Sequence, residues 1–100
     1  MEKIEDTLSK LKNLYVQEFK ESETELIEIY NDIIDKVYET LTSNKKSFTY
    51  QIDYYAVDYS DLKLFLYPLC AVGFVAIIDT KEIRTTFYDT EKFYVLKVTL

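Results

Sequence analysis

Apolar residues recur over the first forty positions at helical spacing. Ile4, Leu8, Leu11, Tyr15 and Phe19 follow one another at steps of four, three, four and four. That spacing aligns them on one side of a helix ending near Phe19 or Lys20. "KESETEL" then breaks the pattern. Ser22 followed by Glu25 has the spacing of a capping box, Thr24 is a competing N-cap, and Leu26 opens a second stripe. The second predicted helix runs from Glu25 to Leu41. At about 100° per residue, Leu26, Ile29, Tyr30, Ile33, Ile34, Val37 and Leu41 occupy one face. Glu28, Asp32, Asp35 and Glu39 fall in a narrow band on the opposite side, with Glu25 at its edge.

From Ser47 onward the period changes to two. "SFTYQIDYYAV" alternates Phe48, Tyr50, Ile52 and Tyr54 against Thr49, Gln51, Asp53 and Tyr55. "LKLFLYP" reads as a second strand stopped by Pro68. "AVGFVAIID" reads as a well-buried central strand, and "IRTTFYD" and "FYVLKVT" as two more. "VDYSD" and the "PLC" segment connect the earlier strands, while "DTKE" and "DTEK" have the character of tight hairpin links. The expected architecture is α+β: two N-terminal helices packed on one face of a five-stranded antiparallel sheet. With 100 residues and no linker, repeat or low-complexity segment, residues 1–100 read as a single domain.

Composition adds a sign to this picture. Twelve Lys and Arg against eighteen Asp and Glu give a net charge of −6. This argues against nucleic acid or an anionic membrane as a direct ligand and suits a basic protein partner. The single Gly and single Pro leave turns to Asp, Asn, Ser, Thr and Lys. Cys70 is the one cysteine, so no internal disulfide is possible; its apolar surroundings predict a buried thiol. "YPLCAVGFVAII" is too short for a membrane span, and "MEKIEDTLSK" has no signal-peptide pattern. These features predict a cytoplasmic protein.

Catalytic chemistry has little to stand on. There is no His, so acid–base work would fall to carboxylates, Lys or Tyr. Phosphate-cradling glycine loops, zinc spacings, nucleophile elbows and calcium loops are all missing. A non-enzymatic protein without cofactor, metal or small-molecule substrate is expected.

The acidic band is the sequence's most specific chemical feature. From Glu21 to Asp35 there are six carboxylates and no Lys, Arg or His. A solvated helix face ordinarily mixes signs, because like charges at i,i+4 cost roughly 0.2–0.5 kcal/mol each. Glu28–Asp32 and Asp35–Glu39 are such pairs. Carboxylates about 5–6 Å apart along one helix face resemble a line of backbone phosphates. Such a face suits the basic groove of a DNA-binding enzyme.

The order "LKNLYVQEF…ESETELIEIYNDII…LTSNKKSFTYQIDYY…DLKLFLYP…VGFVAIID…TTFYD" resembles the staphylococcal type of uracil-DNA glycosylase inhibitor, from about Leu11 to Asp89. The resemblance implies a cytoplasmic DNA mimic of two helices and five antiparallel strands, associated with mobile genetic elements. It also implies a 1:1 complex with uracil-DNA glycosylase that inhibits base excision repair. In that family a Glu-Ser-Ile segment engages the enzyme's phosphate contacts, and an apolar pocket takes its intercalating leucine. Here "ESETEL" stands at that place. Two placements are open. Glu23 and Thr24, with Leu26 as the apolar residue, keep Ile33 and Ile34 in step; Glu21 and Ser22 need a longer insertion. Under either placement Glu25, Glu28 and Asp32 supply the attracting field. The expected pocket lining is Leu26, Ile29, Tyr30 and Ile33 from the helix with Phe65, Val75 and Ile77 from the sheet. A DNA mimic aimed at a restriction or CRISPR nuclease shares the acidic face and needs no such pocket. An interaction module with a merely solvated acidic face is the third reading.

Overall fold

The computed structural model describes every residue except 1, 21–23, 55, 56, 85 and 88. The elements in chain order are α1 (Glu2–Glu18), α2 (Thr24–Thr42), β1 (Ser47–Asp53), α3 (Tyr59–Ala71), β2 (Val75–Arg84) and β3 (Thr90–Thr99). The two N-terminal helices form where their apolar stripes predict them. Leu11, Tyr15 and Phe19 from the first stripe, and Tyr30, Ile33 and Val37 from the second, are buried together. Thr40 is the one buried polar residue among those described, and its hydroxyl donates to the Lys36 carbonyl at 2.7 Å.

The rest of the predicted architecture is corrected. The fold is α+β, but the described residues form three helices and a three-stranded antiparallel sheet of order β1-β3-β2 in place of two helices and five strands. "LKLFLYP" is helical and lies within α3. Its apolar residues satisfy both periods, since Leu62, Leu64 and Leu66 alternate while Leu62, Phe65 and Leu69 recur at three and four. Packing chooses the second set: Leu62, Phe65 and Leu69 are fully buried. Pro68 does not stop the helix, which continues to Ala71. The cost is one missing N–H, the one that would serve the Leu64 carbonyl.

Helix ends use the only residues suited to them. After α3, Gly73 takes φ +96, its N–H reaches the Cys70 carbonyl at 3.0 Å, and the Phe74 N–H reaches that of Leu69 at 3.0 Å. That pair of bonds is a Schellman cap, which needs a left-handed residue. After α2, Asn44 takes φ 60 and the Lys45 N–H bonds the Thr40 carbonyl at 3.0 Å. Asn is the side chain that tolerates this region best after Gly.

The expected hairpin at "DTKE" is absent, because β2 runs unbroken through it to Arg84. Its charges are used across the strands instead: Asp79 meets Lys97 at 2.8 Å and Glu82 meets Lys92 at 3.3 Å. The chain turns between Arg84 and Thr90, where the Asp89 N–H bonds the Thr86 hydroxyl at 3.0 Å. "DTEK" accordingly begins in that turn and runs into β3. The central strand is β3, and the segment read as central, β2, is an edge.

Register fixes which side chains meet the helices. Phe48, Tyr50 and Ile52 of β1, Tyr94, Leu96 and Val98 of β3, and Ala76 and Ile78 of β2 share one sheet face and pack into the core. The alternate residues face the other way. α2 packs on β1, α3 packs on β2, and α1 packs against both other helices. An aromatic group joins the three: Tyr15 stacks on Tyr30 at 5.4 Å, Phe19 on Tyr30 at 5.8 Å, and Phe19 on Phe65 at 4.7 Å. The buried Tyr15 hydroxyl donates to the Phe65 carbonyl, fastening α1 to α3.

Candidate functional site

The acidic band survives folding as one continuous surface. Thr24, Glu25, Glu28, Asp32, Asp35 and Glu39 are all exposed on α2, opposite the buried Tyr30, Ile33 and Val37. Five carboxylates therefore share the outer side of a helix whose inner side is anchored in the core. Lys36 is the one cation on that helix, and it contacts Glu39 at 3.8 Å with both side chains exposed. Among the described residues, no cation lies within ion-pair distance of Glu25, Glu28 or Asp35.

Asp32 ties this face to the sheet. The Tyr50 hydroxyl of β1 donates to Asp32 Oδ2 at 2.8 Å. Burial, followed by the hydrogen bond to Asp32 and its negative charge, pushes the Tyr50 hydroxyl up to about 12. The phenol thus stays protonated and keeps donating. It holds one carboxylate of the band in a fixed position.

Several predicted site residues part company here. Glu21, Ser22 and Glu23 lie outside the described residues, so both placements of the phosphate-mimicking pair fall there, apart from Thr24. The residues expected to line an apolar pocket are not all brought together. Leu26 and Ile29 are half-buried against the core, and Tyr30, Ile33 and Phe65 are closed within it. Phe65 comes from α3, not from the sheet. Val75 and Ile77 point away from the helices and are 64% and 51% exposed. A one-residue alternation decides this: Ala76 and Ile78 face the helices, so their neighbours cannot. Seven residues expected around one notch are therefore divided between the core, its half-buried margin and the far side of the sheet.

Cys70 is exposed, contrary to the expected buried thiol. It belongs to a helix, and it lies off the Leu62–Phe65–Leu69 stripe that an alternating strand would not have defined. Among the described residues no group of His, Cys, Asp or Glu is arranged to hold a metal ion, and no helix is long and apolar enough to cross a membrane.

Asp35 and Glu39, which the helical spacing already places in the acidic band but which were not among the expected partner-binding residues, extend the exposed face beyond Asp32. Tyr50 is tertiary: eighteen residues separate it from Asp32, and nothing local foretells the pairing. No family model, curated protein or solved structure matches the chain.

Proposed function

We propose that this protein is a non-enzymatic DNA mimic, which sets the anionic side of α2 into the DNA-binding groove of a partner enzyme. The observation that carries the reading is the exposed row Glu25, Glu28, Asp32, Asp35 and Glu39 with a single lysine among them. A rigid helix backs the row, so little side-chain and backbone order has to be gained on docking. Carboxylates presented this way accept charge-assisted hydrogen bonds from the groups that otherwise hold phosphates. Uracil-DNA glycosylase is the first partner to test, because the resemblance of the quoted segments names it.

A second reading, a mimic aimed at a restriction or CRISPR nuclease, is favoured by one observation. Of the residues expected to receive an intercalating leucine, Tyr30, Ile33 and Phe65 are closed in the core, Leu26 and Ile29 are half-buried against it, and Val75 and Ile77 lie on the far sheet face. A partner that needs only the charged ridge avoids that requirement. Cleavage assays with uracil-DNA glycosylase, a restriction endonuclease and an RNA-guided nuclease, each with near-equimolar protein, separate the readings. Inhibition of at least one enzyme is expected, with relief by the double substitution Glu28→Lys and Asp32→Lys. Unimpaired cleavage by all three sinks the mimic.

A further inference from the structure

The two edges of the sheet are unlike each other. β2 carries Asp79, Lys81, Glu82 and Arg84 along its length, the charged guard by which proteins discourage strand pairing. β1 has no such guard. Ser47–Asp53 contains no Lys, Arg, Pro or Gly, and its one charge is at its last residue. Its register with β3 is one-to-one from Ser47↔Thr99 to Asp53↔Phe93, with no bulge to turn the edge away. The Lys46 carbonyl accepts the Leu100 N–H at 2.8 Å. Antiparallel alternation then commits the main-chain groups of Phe48, Tyr50 and Ile52 to β3 and turns those of Ser47, Thr49 and Gln51 outward.

α2 overlooks this edge. An open cleft of about 360 Å³ lies between the C-terminal part of α2 (Glu39, Thr40), together with the following Ser43, and Ser47, Phe48 and Thr49 of β1, with Lys36 and Lys45 also at this end. Further along, Asp32 is bonded to Tyr50. Neither the Thr24–Asp35 part of α2 nor β1 itself contains a lysine or arginine. A chain lying along the Tyr50–Asp53 half of the edge therefore meets the Asp32 carboxylate beside Tyr50, with Glu28 one turn further along the same face of α2.

We propose that the open edge of β1 accepts an extended, lysine- or arginine-bearing segment of a protein partner, paired to it as an added strand beside the acidic face of α2. Main-chain bonds to the outward groups of β1 supply the pairing, and Glu28 and Asp32 select the sign of the segment's side chains. The choice of sign rests on the acidic-face reading above; the pairing does not. A second copy of this chain is the poorer occupant. Two-fold pairing of β1 with β1 would bring two acidic helices together, on molecules that each carry a net charge of −6.

The test uses the full chain and a twelve-residue peptide of alternating lysine and valine, read by NMR amide exchange. The peptide should slow exchange at Thr49 and Gln51 by about tenfold or more at saturation, while Phe48 and Tyr50 change little. Gln51→Pro should abolish binding with the far-UV dichroism retained, because an outward N–H can be lost without loss of the ladder. A peptide N-methylated at every second residue should fail on the unaltered protein, which keeps the test sound if Gln51→Pro does not fold. Peptide binding without protection of Thr49 and Gln51 overturns the strand-acceptor site and leaves the acidic-face reading standing. Equal binding of an alternating glutamate–valine peptide, or unchanged peptide binding after Glu28→Lys and Asp32→Lys, overturns the charge selection while protected edge amides still support the pairing. No binding of the lysine–valine peptide, or a dimer in sedimentation with the same amides protected before any peptide is added, overturns the proposal.

Discussion

Tyr50 shows how much one side chain can join. Its ring packs against the core, its hydroxyl steadies Asp32 on the acidic face, and its main chain belongs to the strand beside the open edge. Its titration gives a test of that joint. Folding raises the Tyr50 hydroxyl from 10.0 to about 12, and burial raises the hydroxyl of Tyr15 as well. The folded protein holds these protons more tightly than the unfolded chain does. Their contribution to stability is therefore complete below the unfolded value of 10.0 and is lost as pH climbs toward the folded value. Urea midpoints should fall between about pH 9 and about pH 12, and Tyr50→Phe should make the fall shallower above pH 10, since phenylalanine cannot ionise. Superimposable pH profiles for the two proteins would remove Tyr50 from the account. A sequence could not announce this role, because period-two alternation places Tyr50 on the inner sheet face without naming the carboxylate it meets.

At the scale of elements, legibility followed the uniqueness of the pattern. α1 and α2 were readable because only a helix places Leu11, Tyr15 and Phe19, or Tyr30, Ile33 and Val37, on one side. α3 was missed because its leucines fit two periods and Pro68 resembled a strand end. The deciding signals were nevertheless present. Residues 58–71 contain no Val, Ile or Thr, the residues strands prefer, and Asp58 stands at the N-cap with Asp61 in the first turn. Misreading "DTKE" as a turn followed from its polarity, which serves cross-strand ion pairs instead. The new helix also places a specific demand on the one glycine. A Cβ on Gly73 would meet nothing within 4 Å, so Gly73→Ala isolates the backbone cost of φ +96. Denaturant unfolding should show a loss of about 1–2 kcal/mol, and an unchanged midpoint would mean that the cap is dispensable. Phe65→Ala, at the contact of α1 with α3, should cost more, about 3–5 kcal/mol, because it leaves a cavity among Tyr15, Phe19 and Leu62.

For the molecule as a whole the question is why charge is distributed so unevenly. One layer of helices covers one face of a small sheet, leaving 18 Å along the shortest axis. The other cations are spread over α1, α3, the strands and the loops, Lys20, Lys45 and Lys46 among the last, whereas the outer side of α2 carries five acids and one lysine. Selection for stability alone would not leave it so, because reversing one of those charges should strengthen the fold. Asp35→Lys removes the like-charge contact with Glu39 and places a cation three residues from Asp32 and four from Glu39. Each like pair relieved is worth about 0.2–0.5 kcal/mol. Thermal or urea unfolding should therefore show a small gain. If the face is a docking surface, the same substitution should lower affinity for the partner and flatten its dependence on salt, since the attraction works through a field screened over about 10 Å at 0.1 M. A merely solvated face predicts the gain in stability with no change in binding. The opposed movement of stability and affinity in one variant is thus the signature of a surface kept anionic for a partner, and a stabilised variant that binds as before would return α2 to the status of ordinary solvent-facing helix.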